Sequence, residues 1–250
     1  MSDKTLLITG GSRGIGRAAA IAARARGWAV GVNYAQDEAA AQEVVEVITR
    51  SGGRAVALRG DVSSEEDVAQ MFEGTERALG PVTGVVVNAG IVAPTSQLAD
   101  MSGERMRRVF EVNVLGAYLT AREAAKRMMK SRGGSGGSIL FISSAAARLG
   151  SPNVYVDYAG SKGAIDTLTR GLAVELGPEG VRVNAIRPGL IETELHASGG
   201  EPDRAATLGV TAPLGRPGKP DEVAEAIVFL LDDRAASYVT GAILDVAGGR

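Results

Sequence analysis

A tyrosine and a lysine stand four residues apart in YAGSK, residues 158 to 162. On a helix that spacing puts both side chains on one face, with Cβ atoms ~5–6 Å apart. A free phenol has a pKa of about 10, too high for a base near neutrality. A nearby ammonium favours the phenolate, and the positive ring of an oxidised nicotinamide adds to the effect. Each unit of lowering takes ~1.4 kcal/mol, within reach of one well-placed cation in a dry site. Tyr158 and Lys162 therefore suit proton transfer at a substrate oxygen. Plain packing is the competing reading, with Ala159, Gly160 and Ser161 letting a helix start approach a neighbour. Ser144 closes an apolar run, where its hydroxyl could hold a carbonyl beside the phenol. Ser143 would point to the opposite face of a strand. Asn113 interrupts an otherwise helical stretch, RMRRVFEVNVLGAYLTAREAAKRM, with Gly116 close behind. Asparagine is a poor helix-interior residue. A kink holding a water against Lys162 explains it, and so does a satisfied core asparagine.

A second constellation reads as a phosphate cradle. TGGSRGIG, residues 9 to 16, follows the first apolar run and opens a helical one. Gly10, Gly14 and Gly16 permit positive φ and close backbone approach, and a helix start offers N–H groups to an anion. Ser12, Arg13 and Ile15 complete the loop. The spacing, G-x-x-x-G-x-G, differs from the commoner G-x-G-x-x-G. NAD-binding enzymes usually end the second strand on an acid for the ribose 2′-hydroxyl. Here that end carries Asn33 and Tyr34, while Arg13 in the loop can grip a 2′-phosphate. NADP is therefore preferred over NAD, although Asp37 and Glu38 lie close downstream. Asp61 and Val62 end the third strand, where the aspartate could accept from an adenine amino group or cap the following helix. Asn88, Ala89 and Gly90 end the fourth, suited to a backbone lying against a ribose; Asn88 could equally tie strand ends together.

The elements that must position these groups alternate. Seven β-rich runs (5–9, 29–34, 54–60, 84–89, 138–144, 181–187 and 242–248) are mostly continuous apolar stretches, the pattern of parallel strands covered on both faces. Helix-like segments over about 14–26, 38–51, 65–79, 103–131, 157–177 and 221–231 lie between them. Right-handed crossovers and an α/β, Rossmann-like, doubly wound parallel sheet follow. One domain over 1–250 is expected. Residues 192–213, poor in regular signals, read as a long substrate-binding lid.

Composition narrows the classes. A net charge of -2 gives no reason for nucleic-acid or anionic-membrane partners. The absence of cysteine excludes disulfides, thiolate chemistry and cysteine–zinc sites, and the single histidine, His196, excludes a His-rich metal centre. No metal is expected. No apolar run reaches ~20 residues and the first residues lead straight into a strand, so a cytoplasmic location is expected.

The ordered set TGGSRGIG, DV (61–62), NAG (88–90), Asn113, SS (143–144), YAGSK, RPG (187–189) and YVTGAILDVAGG (238–249) resembles the short-chain dehydrogenase/reductase family along almost the whole chain. The resemblance implies a seven-stranded sheet and reversible hydride transfer between NADP(H) and a carbonyl or secondary alcohol. It implies Tyr158 as general acid/base, Lys162 as its activator, Ser144 as carbonyl holder and Asn113 as water holder. Pro188, Gly189 and Ile191 correspond to the wall beside the nicotinamide, with Thr193 near its amide or the phosphates. Homotetramers are common in the family. The chain is similar to 3-oxoacyl-carrier-protein reductases, but ARLGSPNVYVDY, between Ser144 and Tyr158, is one residue longer than in many of them. HASGGEP (196–202) brings it closer to uncharacterised bacterial oxidoreductases. The rival readings are an NAD-preferring dehydrogenase of a sugar or hydroxy compound, a sugar-nucleotide epimerase or dehydratase, and a non-catalytic nucleotide-binding regulator. An epimerase would need a longer C-terminal substrate domain. A regulator is expected to have lost Tyr158, Lys162 or Ser144.

Overall fold

Apolar runs bounded by turn residues become the seven strands of one parallel sheet in this computed structural model, which describes residues 4–250. The strands are β1 (Lys4–Ile8), β2 (Trp28–Tyr34), β3 (Ala55–Arg59), β4 (Val82–Val87), β5 (Gly137–Ile142), β6 (Val181–Pro188) and β7 (Ile243–Val246). Their order across the sheet is β3-β2-β1-β4-β5-β6-β7. The helices are α1 (Gly14–Ala25), α2 (Glu38–Arg50), α3 (Glu65–Leu79), α4 (Gly103–Phe110), α5 (Gly116–Met128), α6 (Ala146–Leu149), α7 (Val156–Leu176), α8 (Leu195–Ser198), α9 (Arg204–Gly209) and α10 (Pro220–Leu231).

Two hydrophobic layers sandwich the sheet. Leu6 and Ile8 of β1 point into one, shared with α1, α2 and α10. Leu7 points into the other, shared with α3, α5 and α7. Alternate residues of one strand thus feed opposite cores, which is why the runs read as continuously apolar. Local chemistry starts the helices. Asp37 caps α2 by accepting from the Ala40 N–H at 2.9 Å. Ser64 caps α3 by accepting from Asp67 N–H at 3.2 Å, with Glu65, Glu66 and Asp67 placing negative charge at the positive helix end. None of these helices is long and apolar enough to cross a membrane, among the described residues.

Two segments depart from the sequence expectation. The single helix expected over 103–131 is two helices, α4 and α5, joined by a π-helical turn at Glu111–Leu115 that holds Asn113. The region 192–213 is not irregular throughout, since α8 and α9 lie within it. Both helices are under two turns, too short for a periodic pattern to show.

The chain order reverses between β1 and β4, and open α/β sheets bind ligands at such a switch point, beyond the carboxyl ends of the strands. The loop after β1 and the Asn88–Gly90 turn after β4 meet there. Gly16 shows how tightly: a Cβ on it would lie 2.2 Å from the Gly10 carbonyl oxygen and 2.7 Å from Asn88 Nδ2. Gly16→Ala is therefore expected to lower unfolding stability by about 1–3 kcal/mol. It should also weaken dinucleotide binding, as urea denaturation and fluorescence titration would show.

Candidate active site

Side-chain amides build the cradle. Asn33, at the end of β2, accepts from the Gly10 N–H at 3.0 Å and donates to the carbonyls of Gly60 (3.0 Å) and Leu58 (3.2 Å). Asn88 donates to the carbonyls of Thr9 (3.0 Å) and Gly10 (2.9 Å). Both side chains brace the frame, and Asn88, which ties the strand ends in this way, also lines the cleft. Asn33 lines the cleft but braces the loop. Gly10 and Gly14 take φ of 62° and 52°, a region open mainly to glycine. Helix α1 starts at Gly14 with no capping side chain and no acid in its first turn. Its first N–H groups are thus left for an external anion.

A cleft of about 830 Å³ runs along the strand ends from this loop to α9, room for a dinucleotide and a small substrate. Ser12, Arg13, Ile15, Tyr34, Asp61, Val62, Ala89, Gly90, Pro188, Gly189, Ile191 and Thr193 all line it. Gly16 sits just behind, in the frame. Thr193 stands against Gly14, where a Cβ would be 3.3 Å from its methyl, and Gly189 lies too close to Ala247 for any side chain. The residues present fit a nucleotide cofactor: bare helix N–H groups for phosphate, and glycines where side chains would fill the channel.

Asp61 already has partners. It accepts from the Ser63 N–H (2.9 Å) and hydroxyl (2.7 Å) and pairs with Arg108 at 3.1 Å. Burial pulls its carboxyl up, but the Ser63 bonds and Arg108 outweigh that and hold it below the usual range. Helix capping falls to Ser64 instead. At the end of β2, Arg13 and Arg59 line the cleft, and among the described residues neither guanidinium is in an ion pair. Asp37 is engaged by α2, and the Tyr34 phenol turns to Glu38. Arg59 was missed in the sequence, although it faces Tyr34 across the β2–β3 register.

Tyr158 and Lys162 lie on α7 and share the inner end of the cleft with Ser144. The Lys162 ammonium donates to the Ile142 carbonyl at 2.7 Å and sits 5.7 Å from the centre of the Tyr158 ring. The expected lowering of the phenol pKa does not occur in the chain alone. Burial pushes Tyr158 up to about 12, with a Ser144 hydrogen bond pulling the other way. Burial also pulls Lys162 down to about 8, opposed by the Asp166 charge. Desolvation penalises both ionised forms and is the largest cause for each.

The two adjacent serines separate by strand alternation. Ser144 faces the phenol. Ser143 is buried and donates to Asp166 at 2.7 Å, and Asp166 in turn holds Arg187 at 2.7 Å. Asn113 uses its side chain as a strap, accepting from Ile91 N–H (2.8 Å) and donating to the Ile91 carbonyl (2.9 Å) and Ser161 (3.1 Å). The expected kink is present as the π-turn, but the amide itself is taken. A buried ion pair unseen in the sequence fixes α7: Arg105 of α4 reaches Asp157 at 2.9 Å, and Asp157 also accepts from the Tyr158 N–H. The two residues lie 52 positions apart, beyond any local pattern.

The longer loop before α7 has its own signature. Ser151 and Asn153 take φ of 45° and 62°, left-handed without being glycine. Tyr155 follows and packs edge-on against Tyr158, ring centres 5.5 Å apart. His196, foreseen at the surface of the 192–213 segment, has its side chain outside the described residues.

This combination of a switch-point cradle and a Tyr–Lys–Ser cluster on α7 and β5's end defines a class, and comparison with known proteins agrees. A family model described as enoyl-(acyl carrier protein) reductase matches residues 10–250. The chain is 52% identical to an uncharacterised oxidoreductase, YgfF, of Escherichia coli (strain K12), over 98% of each chain. It is 39% identical to an L-rhamnose 1-dehydrogenase (NAD(P)(+)) of Sphingomonas sp. (strain SKA58), over 100% of this chain and 96% of the relative. A short-chain type dehydrogenase/reductase from Mycobacterium marinum superposes with a TM-score of 0.91 at 37% identity, covering 98% of this chain and 94% of that one. The chain belongs to the short-chain dehydrogenase/reductase family of oxidoreductases, whose members bind a nicotinamide nucleotide.

Lys162 makes the site visible in stability. Its folded value of about 8 lies below the ordinary 10.5, so between those values the unfolded chain binds more protons. Stability should then rise with pH from about 8 to 10, by up to about 1.4 kcal/mol per pH unit. Above pH 10 the raised Tyr158 value acts in the opposite direction. Urea unfolding of cofactor-free protein across this window should show the rise, and Lys162→Met should remove it.

Proposed function

We propose that the protein is an NADP(H)-dependent oxidoreductase that reduces a carbonyl to a secondary alcohol, reversibly, with Tyr158 as general acid/base. The observation that carries this is a phenol held at about 12 beside a buried ammonium, both lining the cleft. At neutral pH that phenol is protonated, the form a reduction needs. When bound, the reduced cofactor supplies the hydride. Tyr158 gives its proton to the carbonyl oxygen, and the Ser144 hydroxyl donates to the same oxygen. Lys162 stabilises the resulting phenolate, since a negative charge next to its ammonium gains what the neutral phenol does not. Asn113 holds the π-turn beside the site through its bonds to Ile91 and Ser161. In the oxidative direction the same groups run backwards, with the phenolate as base.

NADP over NAD rests on the rim at the end of β2. Two guanidiniums, Arg13 and Arg59, stand ready for a 2′-phosphate, and Asp37, an acid of the same rim, is occupied as a cap. NAD use with a sugar or hydroxy compound is the second reading, favoured by the rhamnose dehydrogenase relative's use of both cofactors. One catalytic domain over 1–250, with 192–213 covering the substrate, belongs to the same reading. So does a homotetramer, for which the exposed apolar side chains Val174, Phe229 and Tyr238 offer contact surface. A monomer by sedimentation at micromolar concentration would refute the tetramer.

A panel of carbonyl compounds assayed with NADPH and NADH tests the whole. Tyr158→Phe should reduce kcat by 100-fold or more, to a degree typical of removing an acid catalyst (about 10²–10⁴), while dinucleotide binding persists. Near-normal turnover in that variant would end the mechanism. Arg13→Ala should raise the KM for NADPH about tenfold with little change for NADH. Equal losses would point to NAD.

A further inference from the structure

The substrate end of the cleft carries two guanidiniums that the chain satisfies only in part. Among the described residues, four buried side-chain polar atoms have no hydrogen-bond partner: Thr83 Oγ1, Ser138 Oγ, Arg204 Nε and Arg250 Nη1. The two hydroxyls lie near the first residues of β4 and β5, at the opposite end of the strands from the cleft. Both arginines line the cleft. Burying a guanidinium N–H without an acceptor is costlier than burying a hydroxyl, and native proteins rarely leave one so.

Their placement relates them to the reacting centre. Arg204 stands over the Tyr155 ring, with Cζ 5.1 Å from its centre, and Tyr155 in turn packs on Tyr158. Arg250 is close enough to Tyr155 for its charge to act on the same phenol. Arg148 donates to the main-chain oxygen of Arg250 at 2.6 Å, fixing that residue's main chain at the rim. The nearby acids do not cancel this charge. Glu201 pairs with Arg204 and also accepts from Thr95. Glu194 lines the cleft at the other side, against Gly14. Among the described residues no carboxylate pairs with the Arg250 guanidinium.

We propose that Arg204 and Arg250 anchor a carboxylate on the substrate, so that the site prefers a compact oxo acid and the hydroxy acid it interconverts with. Glu201 already pairs with one of the two guanidiniums, so the pair suits a singly charged carboxylate better than a doubly charged phosphate. Two guanidiniums also offer the planar, forked donors that carboxylates take. The carboxylate takes no part in the redox step. A C–H bond forms at the carbonyl carbon from the hydride and an O–H bond from the Tyr158 proton, while NADPH becomes NADP⁺. The identity of the carbonyl partner rests on the oxidoreductase reading above; the anion anchor does not.

Calorimetric titration separates the two. The probes are 4-oxopentanoate and 5-oxohexanoate, each against its methyl ester, added to wild-type protein with and without NADP⁺. The acids are expected to bind about tenfold or more tightly than the esters. Arg250→Gln and Arg204→Gln should each bring the acid-to-ester ratio towards one, and Arg250→Lys should restore part of it. Parity in the wild type, failure of either acid to bind, or a preference that survives both Gln variants would overturn the anchor. Reduction of neutral ketones together with acid–ester parity would leave the oxidoreductase reading standing without the anchor. Tight acid binding with no carbonyl turned over would do the reverse.

Discussion

The hydrogen bond from the Lys162 ammonium to the Ile142 carbonyl is the constraint around which the site is organised. A charge buried this deeply keeps its proton at neutrality only if something replaces water. Here the replacement is a strand-end carbonyl, with Asp166 one turn further along α7 adding long-range attraction. Because Ile142 closes β5, the ammonium is fixed to the sheet, and α7 cannot slide without breaking that bond. Asp157 pins the start of the same helix to Arg105, and Ser143 and Arg187 hold its middle through Asp166. The phenol inherits its position from these three ties.

The cradle follows the same logic with neutral groups. Asn33, buried, and Asn88, half-buried, each satisfy several main-chain atoms at once, and those bonds are costly to lose. The loop they hold is therefore shaped before any ligand arrives, and binding need not spend free energy on ordering it.

How far the sequence could be read depended on the range of the interaction. The seven runs and the parallel, doubly wound class followed from apolar patterning, which each strand carries within itself. The Ser143/Ser144 assignment followed from alternation along β5, and the pairing of Tyr158 with Lys162 from helical spacing. What stayed hidden joins distant residues: Arg105 to Asp157, Arg59 to the rim beside Tyr34, Arg204 and Arg250 to Tyr155. The kink at Asn113 was readable because asparagine is out of place in a helix, but the work its amide does, strapping Ile91 and Ser161, was not. The phenol's pKa in the chain alone runs opposite to the effect expected of the cation, for a physical reason. Spacing gives proximity to a cation, whereas burial, which dominates here, is a property of the whole fold.

The left-handed Ser151 and Asn153 have a consequence for how the protein changes over time. Each non-glycine residue in that conformation holds back a little of the fold's free energy. A loop already displaced from its local minimum can exchange one shape for another at small net cost, while α7 beside it, tied at three points, cannot. Diversification would then run through the five residues ahead of Tyr155, leaving the proton-transfer apparatus untouched. Members of one lineage could so acquire different appetites by drift in a single short hinge of chain.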